Sequence, residues 1–325
     1  MSASFRSRLG ERIGAFLALK KALGRSYFSE SYMLAHLDRF LAARRLAVLT
    51  PAAFAAWTMT FLHTTPTVRR ARMLVVRKFC LYLQRTDPRC FVPDLRGFPT
   101  PHTPRPPHIF TRAQIMALIE LATSLPVRST SLLRSEVFRL AIVLLYTTGL
   151  RRNELVRLVM SDYSSKERTL LIRASKFHKS RVVSLSRTAV EEMDRYLSAR
   201  RRFLHHATAP LLISNHQGPS AYSGGSFGSA MRQLFSEAGI RTTDGRTPRV
   251  HDLRHTYAVH ALLRWYRGGA DVQAKLPVLS TAMGHVSIVS TAHYLALLEP
   301  LAEAASDRFE RHCRAIISAP RRRKQ

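Results

Sequence analysis

Five of the sixteen prolines fall within nine residues, in the run PTPHTPRPP from Pro99 to Pro107. Proline fixes φ and lacks an amide donor, so this run can be neither a helix interior nor a central strand. It reads as an interdomain linker, 99–108, that divides the chain into regions 1–98 and 109–325. Ahead of it, apolar residues recur at helical spacing in 8–23, 28–43 and 67–84. Gly24 is placed to end the first of these helices, and Pro51 to open a shorter one. The first region is therefore expected to be entirely helical.

Beyond the linker, Thr111 and Gln114 form a T-x-x-Q capping box that opens a helix reaching about Leu121, and an apolar helix over about 132–147 stops at Gly149. The period then changes. Thr169–Arg173 and Arg181–Leu185 are short runs rich in β-branched residues separated by a polar turn, which predicts a hairpin. Further helices are expected at about 187–201, 226–238, 252–264, 276–283, 288–297 and 301–316. The fold class is mainly α with a small antiparallel β-sheet, an α+β arrangement.

The charge narrows the partner. The chain carries 51 Lys plus Arg against 21 Asp plus Glu, a formal net charge of +30 on 325 residues, yet 46 % of it is apolar. A chain that can bury a core is not a disordered basic arm; a polyanion is the expected partner. Only eight of the 51 basic residues are lysines, and arginine forks bidentately onto phosphate. The excess is spread along the chain, with 17 basic and 5 acidic residues in the first hundred. The segment TVRRARMLVVRKFCLYLQ, 67–84, reads as an amphipathic helix whose basic face, Arg69, Arg70, Arg72, Arg77 and Lys78, is expected to contact DNA. No apolar run reaches the roughly 20 residues of a spanning helix. The N-terminus lacks a signal-type segment, and Cys80, Cys90 and Cys313 fit no disulfide framework. These features predict a protein of a reducing cytoplasm; with DNA as its partner, a bacterial chain of this kind is expected at the nucleoid.

Three separated stretches hold the unusual residues: YTTGLRRNELVRL at Tyr146–Leu158, PRVHDLRHTYAVH at Pro248–His260 and MGHVSIVSTAHY at Met283–Tyr294. His251 and His255 are four apart, as in a zinc-protease helix. However, Asp252 stands where that motif needs Glu, Arg254 would repel a dication, and no third ligand is evident. Arg151 alone reads as a surface arginine at a helix start, Tyr294 alone as a half-buried core tyrosine, and Glu154 as a capping or salt-bridging residue. The ordered set defeats these bland readings jointly.

In type, order and spacing the three stretches resemble the signature boxes of the tyrosine recombinases, the phage integrase family. Its pattern is a first Arg in TGLRxxEL, then HxLRH, then LGH followed nine residues later by Tyr. The helical first region resembles that family's core-binding domain, and GADVQAKLPVLSTAMGH, 269–285, is similar to integrases of transposon-like elements. The resemblance implies Arg151 and Arg254 as the arginine pair, Tyr294 as nucleophile, and His251 and His285 as supporting histidines. The hairpin lysine of the family's GKGxKxR-like turn falls on Lys176 in SKFHKSR, where Ser175 and Phe177 replace the flanking glycines. Met283 replaces the usual Leu, and His293 precedes the nucleophile. His255 and His293 read as structural.

The implied reaction suits these residue types. Two guanidinium forks hold both non-bridging oxygens of a phosphodiester and offset the charge that builds in the transition state. Tyr294 attacks phosphorus to give a 3′-phosphotyrosine and a free 5′-hydroxyl. A phenol of pKa near 10 needs help in losing its proton, here from His251, and Lys176 protonates the leaving oxygen. Because the covalent bond stores the phosphodiester energy, neither ATP nor a metal cofactor is expected. The implied partners are double-stranded DNA and further copies of the chain, a tetramer on synapsed DNA, with related recombinases as additional partners; the final helix docks in cis or on a neighbouring protomer. Two rival readings have clear discriminators. A type IB topoisomerase would relax supercoils without a specific site, and a non-cleaving DNA-binding relative would bind but form no covalent adduct.

Overall fold

The computed structural model describes residues 5–25, 27–100, 105–128, 131–173, 180–201, 209–215, 220–285, 287–297 and 310. The chain separates into two compact units, Met1–Arg105 and Pro106–Gln325. Lys176, the helix expected at 301–316 apart from residue 310, and the basic tail at 321–324 lie outside the described residues.

The first unit is built from α1 (Gly10–Ala22), α2 (Phe28–Ala43), α3 (Pro51–Met59) and α4 (Pro66–Leu83), with a 3-10 turn at Leu95–Gly97. The local chemistry sets these boundaries. Gly24 adopts φ +71° beyond the end of α1. Thr50 and Thr65 cap α3 and α4 by accepting from the amides of Ala53 and Val68, each with proline at the first helical position. The core is aromatic: Phe16, Trp57, Phe61 and Phe79 are all at most 1 % exposed, and Trp57 donates its indole N–H to His36 Nδ1 at 3.0 Å. Asp38, buried in α2, accepts from the amides of Arg6 and Ser7 and from the Ser7 hydroxyl, which ties the N-terminal residues down.

In the second unit, α5 (Arg112–Thr123) opens on the Thr111/Gln114 capping box, and α6 (Arg134–Thr148) is the central helix, packed against α5, α8 (Arg187–Arg200) and α10 (Val250–Arg267). A short α7 (Arg152–Leu155) follows α6. The strands β1 (Tyr163–Ser164), β2 (Thr169–Ile172) and β3 (Arg181–Ser184) form an antiparallel sheet in the order β1-β2-β3, with Leu171 facing Val182 and Ile172 facing Arg181. β4 (Ile213–Asn215) and β5 (Ser220–Ala221) form a second pair. Helices α9 (Gly224–Glu237), α11 (Val272–Met283) and α12 (Val289–Ala292) and a 3-10 stretch over His293–Leu297 complete the unit.

Two expected elements change. The helix expected at 288–297 is α12 followed by 3-10 backbone, which places Tyr294 on the tighter stretch. The helix expected from residue 276 starts four residues earlier, because Asp271 caps it by accepting from the amides of Gln273 and Ala274. Pro277 sits inside the helix and disguised that start. Two-residue strands such as β1 are too short to carry a period.

Candidate active site

Gly149 and Gly284 end α6 and α11 in left-handed conformation, at φ +64° and +65°. At α11 the ending is a Schellman motif: the Gly284 amide donates to the Thr281 carbonyl and the His285 amide to the Ser280 carbonyl. That geometry leaves the next three carbonyls, those of Ala282, Met283 and Gly284, without helical partners. Each of them accepts from a different arginine. Arg181 Nε reaches Ala282 at 3.0 Å, Arg254 Nη2 reaches Met283 at 2.7 Å, and Arg151 Nη2 reaches Gly284 at 2.9 Å.

Arg254, one turn into α10 and 1 % exposed, also donates from Nη1 to the Gly149 carbonyl at 2.6 Å. One guanidinium therefore joins the ends of α6 and α11, which are more than a hundred residues apart. Burial, with Arg151 beside it, lowers the Arg254 pKa to about 10. Arg151 follows α6 in extended conformation, and its fork is shared with Glu154: Nη1 donates to Oε1 at 2.7 Å and the backbone amide to Oε2 at 2.9 Å. Glu154 in turn takes both ends of the Arg181 fork, at 3.0 and 2.8 Å. Burial pushes the Glu154 carboxyl up, but the bonds from Arg181 and from Arg151 outweigh it and hold the group at about 2.

Tyr294 is 3 % exposed and packs in the cluster formed by α10 and α11. Its ring is stacked on His285, 6.1 Å between centroids and 14° between planes, and is tilted against His255 at 5.5 Å. Burial raises the phenol pKa, while Arg254 and Arg151 pull it down. His285 Nδ1 is 2.7 Å from the Thr291 hydroxyl, which orients the ring. His251 and His255 lie perpendicular, 4.7 Å apart, on the first turns of α10. Their pKa values fall to about 4 and about 3, by burial and then by Arg254 for the first and His251 for the second; His285 falls to about 4 by burial and Arg254. All three imidazoles are thus neutral at pH 7, His251 even though part of it is exposed.

The structure thus brings together Arg151, His251, Arg254, His285 and Tyr294. Asp252, which stands where a zinc-protease helix needs Glu, is 1 % exposed and accepts the amide and the guanidinium of Arg249. Sequence reading missed Arg181. The signal was present in the final letter of SKFHKSR, but arginine is too frequent in this chain to be conspicuous. On α4, only Lys78 of the five basic residues is fully exposed. Arg70 donates to the Pro99 carbonyl at 3.0 Å and the Arg72 guanidinium lies over the Phe61 ring at 5.1 Å, so this face is partly packed down. No helix among the described residues is long and apolar enough to cross a membrane.

Residues 109–299 match the model of the phage integrase family. A putative integrase/recombinase of Sinorhizobium fredii, y4rB, is 29 % identical over 308 residues, which cover 94 % of this chain and 98 % of that protein. The tyrosine recombinase XerD of Mycobacterium tuberculosis is 34 % identical over 200 residues, 60 % of this chain and 58 % of that one. Among solved structures, the Tn1549 transposon integrase in complex with transposon right end DNA has a TM-score of 0.63 at 17 % identity, covering 92 % of this chain and 98 % of that chain. With its signature residues gathered at one point and the family model matching more than half its length, the chain belongs to the phage integrase family of tyrosine recombinases.

Proposed function

We propose that this recombinase cuts and rejoins double-stranded DNA at specific sites through a 3′-phosphotyrosine on Tyr294, in the integration or excision of a mobile element. The observation that carries this reading is the position of Arg254, whose fork joins the Gly149 and Met283 carbonyls and whose charge acts on the Tyr294 phenol. In the reaction, Arg151 and Arg254 exchange protein carbonyls for the two non-bridging oxygens of the scissile phosphate. Tyr294 attacks phosphorus, the P–O bond to the 5′-oxygen breaks, and Lys176 supplies the proton that the leaving oxygen takes. His251 accepts the phenol proton. Its neutral form is the one a base requires, and the arriving phosphate charge favours the imidazolium that results. His285 orients the phenol ring. Rejoining is the same displacement in reverse, with a 5′-hydroxyl as nucleophile, so no external energy source enters.

Tyr294 is buried in this form, so its segment must shift for the phenol to reach a phosphate. Exchange of four strands with one nucleophile per chain calls for a tetramer on two DNA sites, and the basic residues of α4, Lys78 foremost, grip the duplex alongside the second unit. The similarity to integrases of transposon-like elements supports a mobile element as the substrate. The test is covalent capture. Duplex fragments from the DNA flanking the gene, incubated with the protein and denatured in sodium dodecyl sulfate, should yield a protein–DNA adduct that Tyr294→Phe abolishes while binding persists. An adduct that survives Tyr294→Phe would refute the assignment.

A further inference from the structure

Arg181 is the one arginine of the cluster that the family resemblance leaves without a role. It opens β3, and its side chain is 10 % exposed. Nε, Nη1 and Nη2 each make a bond within the protein, to the Ala282 carbonyl and to both oxygens of Glu154. Two of these three bonds go to one carboxylate. That carboxylate is the one that holds Arg151.

Glu154 poses an electrostatic problem. Paired with Arg151 alone it would neutralise the guanidinium needed for phosphate, and a buried carboxylate 2.7 Å away is a strong competitor for it. With Arg181 forked onto the same carboxylate, the Glu154 charge is shared between two guanidinium groups. Arg151 is still oriented, through its amide and Nη1, but retains positive charge to offer. The surroundings are shaped for this third arginine: a Cβ on Gly284 would lie 2.7 Å from Arg181 Nη1, so the LGH-type glycine makes room for Arg181 as well as for the left-handed turn.

We infer that Arg181 is a positioning residue for strand cleavage, which offsets Glu154 so that Arg151 is held in place without being neutralised. The inference rests on the proposed role of Arg151 and separates from it by experiment. The readout is the single-turnover rate of covalent adduct formation at saturating protein on the flanking-DNA duplex, with dissociation constants and melting curves measured in parallel. Arg181→Gln should slow adduct formation by about 10²-fold, the scale of losing one preorganised donor, with little change in DNA affinity. Arg181→Lys, which keeps the charge, should recover much of the rate. The decisive variant is Arg181→Gln with Glu154→Gln: when the carboxylate to be offset is gone, the double variant should react at least about ten times faster than Arg181→Gln alone.

A purely structural arginine predicts the reverse order, since removing two packed partners is then worse than removing one. A double variant no faster than the single, or an Arg181→Gln rate within about threefold of wild type, overturns the inference while leaving the Tyr294 reaction standing. A wild-type protein that forms no Tyr294-dependent adduct overturns the reaction, and the inference with it.

Discussion

Replacing Glu154 with Gln should cost the second unit about 3 kcal/mol at neutral pH. The carboxyl is held at about 2 against an ordinary value of 4.5, and that depression corresponds to about 3 kcal/mol of stability at neutral pH. An independent route agrees, since removing one member of a buried ion pair typically costs about 3–5 kcal/mol. In the variant, one carboxylate oxygen becomes an NH2 facing the donors of Arg151 and Arg181 that now bond to it, leaving two half-buried cations without this anion. The assay is urea unfolding followed by tryptophan fluorescence. The chain has two tryptophans; Trp57 lies in the first unit and Trp265 on α10 of the second, so a Trp57→Phe background lets Trp265 report on the relevant unit. The sign with pH follows from the direction of the shift. The folded pKa is depressed, so the stabilisation is present above the unfolded value near 4.5 and is lost as pH falls toward 2. The gap between wild type and variant should therefore hold from pH 7.5 to 5 and narrow below 4.5. A loss under about 1 kcal/mol, or a gap that stays constant down to pH 3.5, would refute the account.

Three other outcomes are expected. His255 and His285 are held at about 3 and about 4, below the 6.5 of an unfolded histidine, so the unfolded chain takes up protons that the folded one refuses. Urea midpoints of the Trp265 transition should accordingly fall between pH 6.5 and 4, and a flat profile there would contradict the burial of these rings. Gly149→Ala places a Cβ 2.4 Å from the Tyr257 ring at φ +64°; it should destabilise the second unit by about 2–4 kcal/mol, and thermal melting that leaves the unit within 1 kcal/mol of wild type would show that the α6 ending adapts. DNA affinity should fall steeply with salt, and Lys78→Ala should reduce the slope of log K against log salt by close to 1; an unchanged slope would remove Lys78 from the phosphate contacts.

Much of the site was legible because its residues are tied to backbone events that sequence records well. Gly149 and Gly284 mark helix ends, and Arg151 and His285 stand next to them. The HxLRH string sets Arg254 three residues from His251, one turn along the same helix. The acceptors were not legible: the carbonyls of Ala282, Met283 and Gly284 would be offered by any residue type, and only the Schellman geometry exposes them. Arg181 stayed hidden for a related reason, because nothing in a string of arginines shows which guanidinium faces a carboxylate brought in from Glu154. On α4 the spacing gave the basic residues a common face. Aromatic packing by Phe61 and a carbonyl on the chain past the helix then engaged two of them, a contact between distant segments that helical periodicity does not encode.

The end of α11 bears on selectivity between states of the reaction. Three guanidinium groups and one carboxylate converge there, an excess of two positive charges. A phosphodiester in the ground state brings a single negative charge, and the five-coordinate phosphorus formed as the tyrosine adds brings two. The charge of this arginine cluster thus matches the summit of the barrier more closely than it matches either end state. Intact DNA and the phosphotyrosine, with one negative charge each, are both under-compensated to a similar degree, so neither is a trap, and cutting and resealing remain close to equal in free energy.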